Sequence, residues 1–298
     1  MIIIFNPTAG QRRRQRLERA LAVLRHVGQE FVVMETTHTG HAKALARAGA
    51  AEGCGLVVAA GGDGTIAEVA AGLAGHGAVL GVLPLGTANV FAWELGIPVR
   101  PDAAARLLTE GEPRLVHPGE ALFTDRTTRL FVQMLGAGFD AAVVANLDLG
   151  LKHRIGRGAY VWQAMRELGR YQFPPLRVVF EDGEARASSV IVSKGRLYAG
   201  RHLLAPAAEI ARPGFQVALF HGSGPMAAAA YGAALPLNLL PRMPGLTLRH
   251  ATRLRIEGEA VAVQADGDPA GRLPVEVRVA EAPLRVMLPR LAGMAQAA

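Results

Sequence analysis

The chain has 298 residues, a formal net charge of +7 and an isoelectric point near 10.3. Half of its residues are hydrophobic and 19% are charged, a balance that can bury a sizeable core and excludes a disordered polyelectrolyte. The single cysteine, Cys54, excludes an intrachain disulfide and suits a reducing cytoplasm, and no zinc-ligand spacing or aromatic RNA-binding motif accompanies the positive charge, so nucleic acid is not the expected partner.

In chain order, the apolar run Met1 to Phe5 predicts a first strand that ends in Asn6-Pro7-Thr8-Ala9-Gly10. It is too short for a signal peptide, and the basic cluster follows it rather than preceding it. Arg12, Arg13, Arg14, Arg16 and Arg19 fall on a helix of about residues 11–27 whose core face is Leu17, Leu21 and Leu24. They read as a solvated face, with membrane contact or phosphate steering as the other reading. Phe31 to Glu35 predicts a second strand leading to Thr36, and His41 to Ala51 a second helix. Leu56 to Ala60 is a continuous apolar run of the kind a buried parallel strand shows. It enters Gly61-Gly62-Asp63-Gly64-Thr65, behind which Ile66, Val69, Ala70 and Leu73 recur at helical spacing around Ala67 and Glu68. Val79 to Leu83 predicts a fourth strand, which runs into Pro84-Leu85-Gly86-Thr87-Ala88-Asn89 and a short helix to Leu95. Pro101 to Thr109 closes this half as another helix.

Strands alternating with helices predict a three-layer α/β domain over residues 1–113, with a mostly parallel sheet. A ligand should bind beyond the strands' carboxyl ends, where the glycine-bearing turns gather. Glycines there remove Cβ atoms that would block a left-handed backbone or the close approach of a ligand. Backbone N–H groups at such turns and at a helix N-terminus suit phosphate oxygens. A tight strand-to-helix turn capped by Thr65 is the plainer reading of the same residues.

Past Gly111-Glu112-Pro113, β-branched segments crowd together: 130–135, 176–180, 188–193, 215–220, 254–257, 261–265 and 275–279. They predict a second domain over residues 114–298, a mainly antiparallel β-sandwich. A helix of about residues 158–171 and an Ala-rich stretch after Pro225 interrupt it. The tail Leu284 to Leu288 is expected to fold back onto the first domain. No apolar stretch approaches the ~20 residues a spanning helix needs. Met226 to Leu240 comes nearest and is broken by Gly232, Pro236 and Asn238, so a soluble chain is expected.

Asn6-Pro7-Thr8-Ala9-Gly10, Gly61-Gly62-Asp63-Gly64-Thr65 and Pro84-Leu85-Gly86-Thr87-Ala88-Asn89, in that order, resemble the nucleotide half of the diacylglycerol kinase-like lipid kinases. The central motif is shared with NAD kinases and resembles one of phosphofructokinases; the third narrows the choice. In the second half, Gly138-Phe139-Asp140-Ala141, Ile155-Gly156-Arg157-Gly158-Ala159-Tyr160 and Asp266-Gly267-Asp268 are similar to weaker family segments. The resemblance implies an active site in the cleft between the domains. It implies nucleotide binding by Asn6, Pro7, Thr8, Ala9, Gly10, Thr36, Gly61, Gly62, Asp63, Gly64, Thr65, Ile66, Ala67, Glu68, Gly86, Thr87 and Asn89. It also implies ATP and Mg2+ as co-reactants, with Asp63 as the magnesium-holding and a catalytic carboxylate. Asp266 or Asp268 would accept the proton of a lipid hydroxyl. Asp-Gly between apolar strands is equally a hairpin signal, so both readings of Asp266-Gly267 stand.

The family's structural magnesium site does not carry over. Its carboxylates are replaced here by Ala207, Arg212 and Pro213, and Pro213 offers no side-chain oxygen to a hard cation; the Arg212 charge is the expected substitute. The activity implied is phosphorylation of diacylglycerol or a related lipid at the inner face of the membrane, in contact with anionic phospholipid. A non-catalytic nucleotide- or lipid-binding homologue is the alternative from another class, and an NAD kinase or a sugar kinase a more distant one.

Overall fold

The computed structural model describes residues 1–7, 11–148, 150–151, 156 and 158–290. The first half alternates strand and helix: β1 (Ile2–Phe5), α1 (Gln11–His26), β2 (Val32–Glu35), α2 (His41–Ala51), β3 (Leu56–Gly61), α3 (Asp63–Leu73), β4 (Val79–Pro84), α4 (Val90–Glu94), α5 (Pro101–Glu110) and β5 (Glu112–Val116). Side chains along these strands alternate between two covered faces. Ile3, Phe5, Val58, Ala60 and Leu83 pack with Leu17, Leu21 and Leu24 of α1 and Ala105 and Leu108 of α5. Ile4, Val57, Ala59, Leu80 and Val82 pack with Ala42 and Ala46 of α2 and Ile66, Val69 and Leu73 of α3. This is a three-layer α/β domain, and burial on both faces explains why β1, β3 and β4 read as unbroken apolar runs.

The remaining strands are β6 (Gly119–Phe123), β7 (Thr128–Phe131), β8 (Met134–Ala137), β9 (Leu176–Phe180), β10 (Gly183–Ala187), β11 (Ser189–Ser193), β12 (Leu197–Tyr198), β13 (His202–Leu203), β14 (Phe215–Phe220), β15 (Leu246–Ala251), β16 (Arg253–Glu257), β17 (Ala262–Ala265), β18 (Asp268–Arg272), β19 (Val275–Val279) and β20 (Leu284–Leu288). Among them lie α6 (Phe139–Ala145), α7 (Gly158–Leu168) and α8 (Pro225–Ala234).

Two antiparallel six-stranded sheets, β10-β9-β16-β19-β6-β7 and β15-β14-β11-β8-β17-β18, enclose one core. Val178, Ile256 and Val277 of one sheet share that core with Val190, Val217 and Val263 of the other. The second half is thus a β-sandwich. In the first sheet, β20 lies between β4 and β5, parallel to one and antiparallel to the other, so the chain returns to its first half before it ends. Among the described residues no helix is long and apolar enough to cross a membrane.

Three details depart from the sequence reading. The run 130–135 is not one strand: β7 belongs to one layer of the sandwich and β8 to the other, and the chain changes sheets at Val132-Gln133. The strands Gly183–Ala187 and Asp268–Arg272 carry charged or small exposed residues and show little apolar alternation. Finally, the arginines of α1 are not all a solvated face. Arg16 donates to the carbonyls of Pro84 at 2.8 Å and Val99 at 2.9 Å, whereas Arg12, Arg14 and Arg19 are exposed as expected.

Candidate active site

The carboxyl ends of β1, β3 and β4 converge as their parallel register requires. The Asn6 amide N–H donates to Ala60 O at 3.1 Å, and those of Leu85 and Gly86 to Gly61 O at 2.8 and 3.1 Å. Asn6 Nδ2 reaches Thr65 Oγ1 at 3.2 Å, so the first and second motifs are fastened side chain to side chain. The second and third lie back to back, since a Cβ on Gly86 would stand 2.5 Å from Gly62 Cα. None of Gly61, Gly62 and Gly64 has a positive φ; close approach and not a left-handed backbone sets Gly61 and Gly64, where a Cβ would collide with Thr65 Oγ1 and stand 2.9 Å from Asp268 Oδ2, respectively. Gly62 precedes α3, and among the described residues no side chain caps the helix, leaving the first-turn amides and the positive end of the helix dipole directed at the cleft. Thr36 ends β2, with its amide on Phe5 O at 2.8 Å, and Thr87 is exposed on the Gly86 turn. Thr8, Ala9 and Gly10 lie outside the described residues, as do Ile155 and Arg157.

Several residues assigned to the nucleotide are engaged with the protein. Glu68 accepts from the amides of Gly40 at 2.8 Å and Ala42 at 3.2 Å, capping α2 from the neighbouring helix. Ile66 and Ala67 are buried and can contribute only backbone. Asn89 is buried in a left-handed conformation with φ 49°; its Nδ2 donates to Gly86 O at 3.0 Å and its Oδ1 has no partner among the described residues. Asp63 Oδ1 accepts the Phe91 amide at 3.2 Å. Burial pushes the Asp63 carboxyl above its ordinary range against the lowering effect of the α4 amides.

Across the cleft, Asp266 and Gly267 form the two-residue turn between β17 and β18, both at positive φ, 51° and 84°, as a type I′ hairpin demands. The Asp266 carboxylate faces inward and accepts the amides of Val132 at 2.7 Å, Gln133 at 2.8 Å and Met134 at 2.9 Å. Those amides belong to the corner where the chain passes from β7 to β8 and would otherwise lack acceptors. Burial pushes the Asp266 carboxyl up to about 6; the three amides oppose this and the charge of Asp63 adds to it. Asp268, the first residue of β18, points at the other domain: a Cβ on Gly64 would lie 2.9 Å from its Oδ2. Asp63, Asp266 and Asp268 thus converge at the mouth of α3.

A buried polar network that the sequence reading left unassigned holds this turn. Gln264 Oε1 accepts the Gly267 amide at 2.8 Å and Gln264 Nε2 donates to Asp140 Oδ2 at 2.8 Å; the Tyr198 hydroxyl donates to Asp140 Oδ1. Burial raises the Asp140 carboxyl. The Gly138-Phe139-Asp140 segment signalled this in the sequence; Gln264 and Tyr198 carried no signal. Between the domains, Glu94 of α4 accepts the Leu197 amide at 2.9 Å and meets Arg196 at 3.3 Å.

The 207–213 loop has a resident cation, and it is not Arg212. The Arg212 side chain is exposed and paired with Glu209 at 2.8 Å. Instead Lys194, fully buried, donates from Nζ to the carbonyls of Arg212 at 2.8 Å and Gly214 at 2.7 Å. Burial lowers its pKa to about 8. An ammonium on these carbonyls, beside a proline, does not fit a structural magnesium ion. Among the described residues no group of three or more His, Cys, Asp or Glu side chains is placed to hold a metal ion by itself. Magnesium commonly needs only one or two carboxylates beside substrate phosphates. The oxygen donors of Asp63 and Asp268 fit that lesser demand.

Comparison with known proteins gives the same picture across the chain. The diacylglycerol kinase catalytic domain family matches residues 1–121, and the YegS C-terminal NAD kinase beta sandwich-like domain matches residues 133–288. A "probable lipid kinase YegS-like" of Pseudomonas aeruginosa strain PAO1 is 31% identical over 97% of this chain and 94% of its own. A "diacylglycerol kinase" of Mycobacterium tuberculosis is 26% identical over 91% of this chain and 89% of its own. The crystal structure of a diacylglycerol kinase from Bacillus anthracis superposes with a TM-score of 0.75 at 22% identity, covering 97% of this chain and 96% of that one; this likeness concerns the fold.

Proposed function

The chain belongs to the diacylglycerol kinase-like family of lipid kinases, and we propose that it transfers the γ-phosphate of ATP to a hydroxyl of diacylglycerol or a related lipid, with magnesium. The observation that carries this reading is the placing of the Asp268 carboxylate against Gly64 in the first turn of α3. A phosphate chain seated on the amides of the Gly62–Gly64 and Gly86–Thr87 turns would present its terminal phosphorus to that carboxylate. The lipid hydroxyl gives its proton to Asp268 and its oxygen bonds the γ-phosphorus, while the bond from γ-phosphorus to the β-bridging oxygen breaks and ADP departs. Such transfer relies on positioning and charge neutralisation more than on covalent chemistry. Bound magnesium would supply that neutralisation, held directly or through water by Asp63, whose Oδ1 already accepts the Phe91 amide.

On this reading Asp266 positions and does not accept the proton, because its two oxygens are shared among three backbone amides. The lipid would be met at the inner face of the membrane. The test is a radiolabelled γ-phosphate assay on a panel of diacylglycerol, phosphatidylglycerol, ceramide and sphingoid bases in mixed micelles, with NAD as a control. Label in a lipid is the expected result. Label in NAD alone, or ATP binding with no transfer to any acceptor, would overturn it.

A further inference from the structure

Helix α7 is built inside out. Its buried side carries no large apolar residue: beside Ala159 it holds Gln163 and Glu167, one turn apart and 4% and 6% exposed, and Gln163 Nε2 donates to Glu167 Oε1 at 2.7 Å. Its outward side is apolar, with Val161 63%, Trp162 52% and Met165 62% exposed. A helix in water turns its apolar stripe to the core and its polar face outward. Here the two polar side chains satisfy one another inside, and three large apolar ones wait on the surface. Helix α8 packs against α7 and adds Met226 at 85% exposure, followed by Leu237 at 67% and Leu239 at 45%.

The charge around this face selects its occupant. Glu167 is the sole acidic residue of α7 and it is buried, while Arg166 and Arg170 are exposed beside the apolar residues. A second copy of this chain, at net charge +7, would bring like charge to the contact. An anionic bilayer supplies both an apolar phase for Val161 and Met165 and phosphates for the arginines, with Trp162 at the boundary where indoles settle. The face also adjoins the candidate site. Gly156, shortly before α7, lies against Thr87, since a Cβ there would be 3.2 Å from Thr87 Cγ2. Tyr160, directly before Val161, places its hydroxyl 3.9 Å from where a Cβ on Gly267 would stand.

We infer that the Val161/Trp162/Met165 face of α7 is the surface by which this chain docks on an anionic bilayer, holding the Asp266–Asp268 turn at headgroup depth. This rests on the lipid-kinase reading for its purpose but not for its test. In a Trp93→Phe background Trp162 is the one remaining indole. Its emission should shift to the blue and be quenched by brominated acyl chains on mixed phosphatidylglycerol/phosphatidylcholine vesicles. The effect should be weaker on phosphatidylcholine alone and fall as salt rises. Trp162→Ala with Met165→Ser should lower vesicle partitioning by roughly tenfold or more and leave turnover on a monomeric short-chain diacylglycerol unchanged. An indole that stays in water at saturating vesicles overturns the inference, as does unchanged partitioning of the double variant. A dimer in sedimentation that Met165→Lys dissociates would assign the face to a second copy instead. Insertion of Trp162 with no lipid phosphorylated would sink the kinase reading and leave the docking surface standing.

Discussion

Oδ2 of Asp268 lies 2.9 Å from the point where a Cβ on Gly64 would stand: the head of β18 can touch the first turn of α3 because residue 64 has no side chain. The crowded atom is the end of a short side chain, so Gly64→Ala displaces the carboxylate and spares the backbone. Stability should remain within about 1 kcal/mol of wild type, while kcat falls roughly 10²-fold through misplacement of the proton acceptor. Calorimetric ATP affinity beside turnover checks this. Wild-type kcat in Gly64→Ala would mean that the contact has no part in the chemistry.

Asp266 is expected to report on stability. In Asp266→Asn an amide N–H2 must replace one of the two accepting oxygens and face a backbone N–H, either that of Val132 or those of Gln133 and Met134. Leaving a buried donor without an acceptor costs about 1–3 kcal/mol, measurable by urea unfolding.

The same carboxyl predicts a pH dependence. Burial raises it to about 6, above the roughly 3.9 of an unfolded aspartate, so the native state holds the proton more tightly. The stability it contributes is full below about pH 4 and lost as pH rises to about 6. Wild-type unfolding free energy should decline across that window relative to Asp266→Asn. Parallel curves would show that Asp266 titrates normally.

Lys194 makes the loop around Arg212 and Gly214 independent of metal. Chelation should leave the nucleotide-free Tm unchanged, whereas Lys194→Met removes the donor from two carbonyls and should cost roughly 2–4 kcal/mol. A wild-type Tm that drops on chelation would reveal a metal there after all.

The α/β half was legible almost strand by strand because β1, β3 and β4 are buried on both faces, and burial writes itself as an apolar run. The glycine turns were legible as motifs, yet the reason for Gly64 was not: its neighbour Asp268 is far along the chain, and only the fold brings them together. Asp-Gly at 266–267 supported both a hairpin and a catalytic element. The structure gives the hairpin to Asp266 and Gly267 and sends the next side chain, Asp268, into the cleft. The change of sheet at Val132-Gln133 was hidden because the amides that make it possible are capped by Asp266, in a turn far along the chain. Lys194 was missed for a related reason. Its ligands are backbone carbonyls, which carry no sequence signature.

The most direct test of the account compares Asp268→Asn with Asp266→Asn in the radiolabelled-phosphate assay on the lipid that wild type uses, at a temperature where both variants are folded. With Asp268 as proton acceptor, its amide variant should lose roughly 10²–10⁴-fold in kcat at near-normal ATP affinity. Asp266→Asn should lose stability first and, while folded, retain turnover within about tenfold of wild type. Near-normal turnover in Asp268→Asn, with turnover abolished in folded Asp266→Asn, would contradict the assignment and return the proton to Asp266.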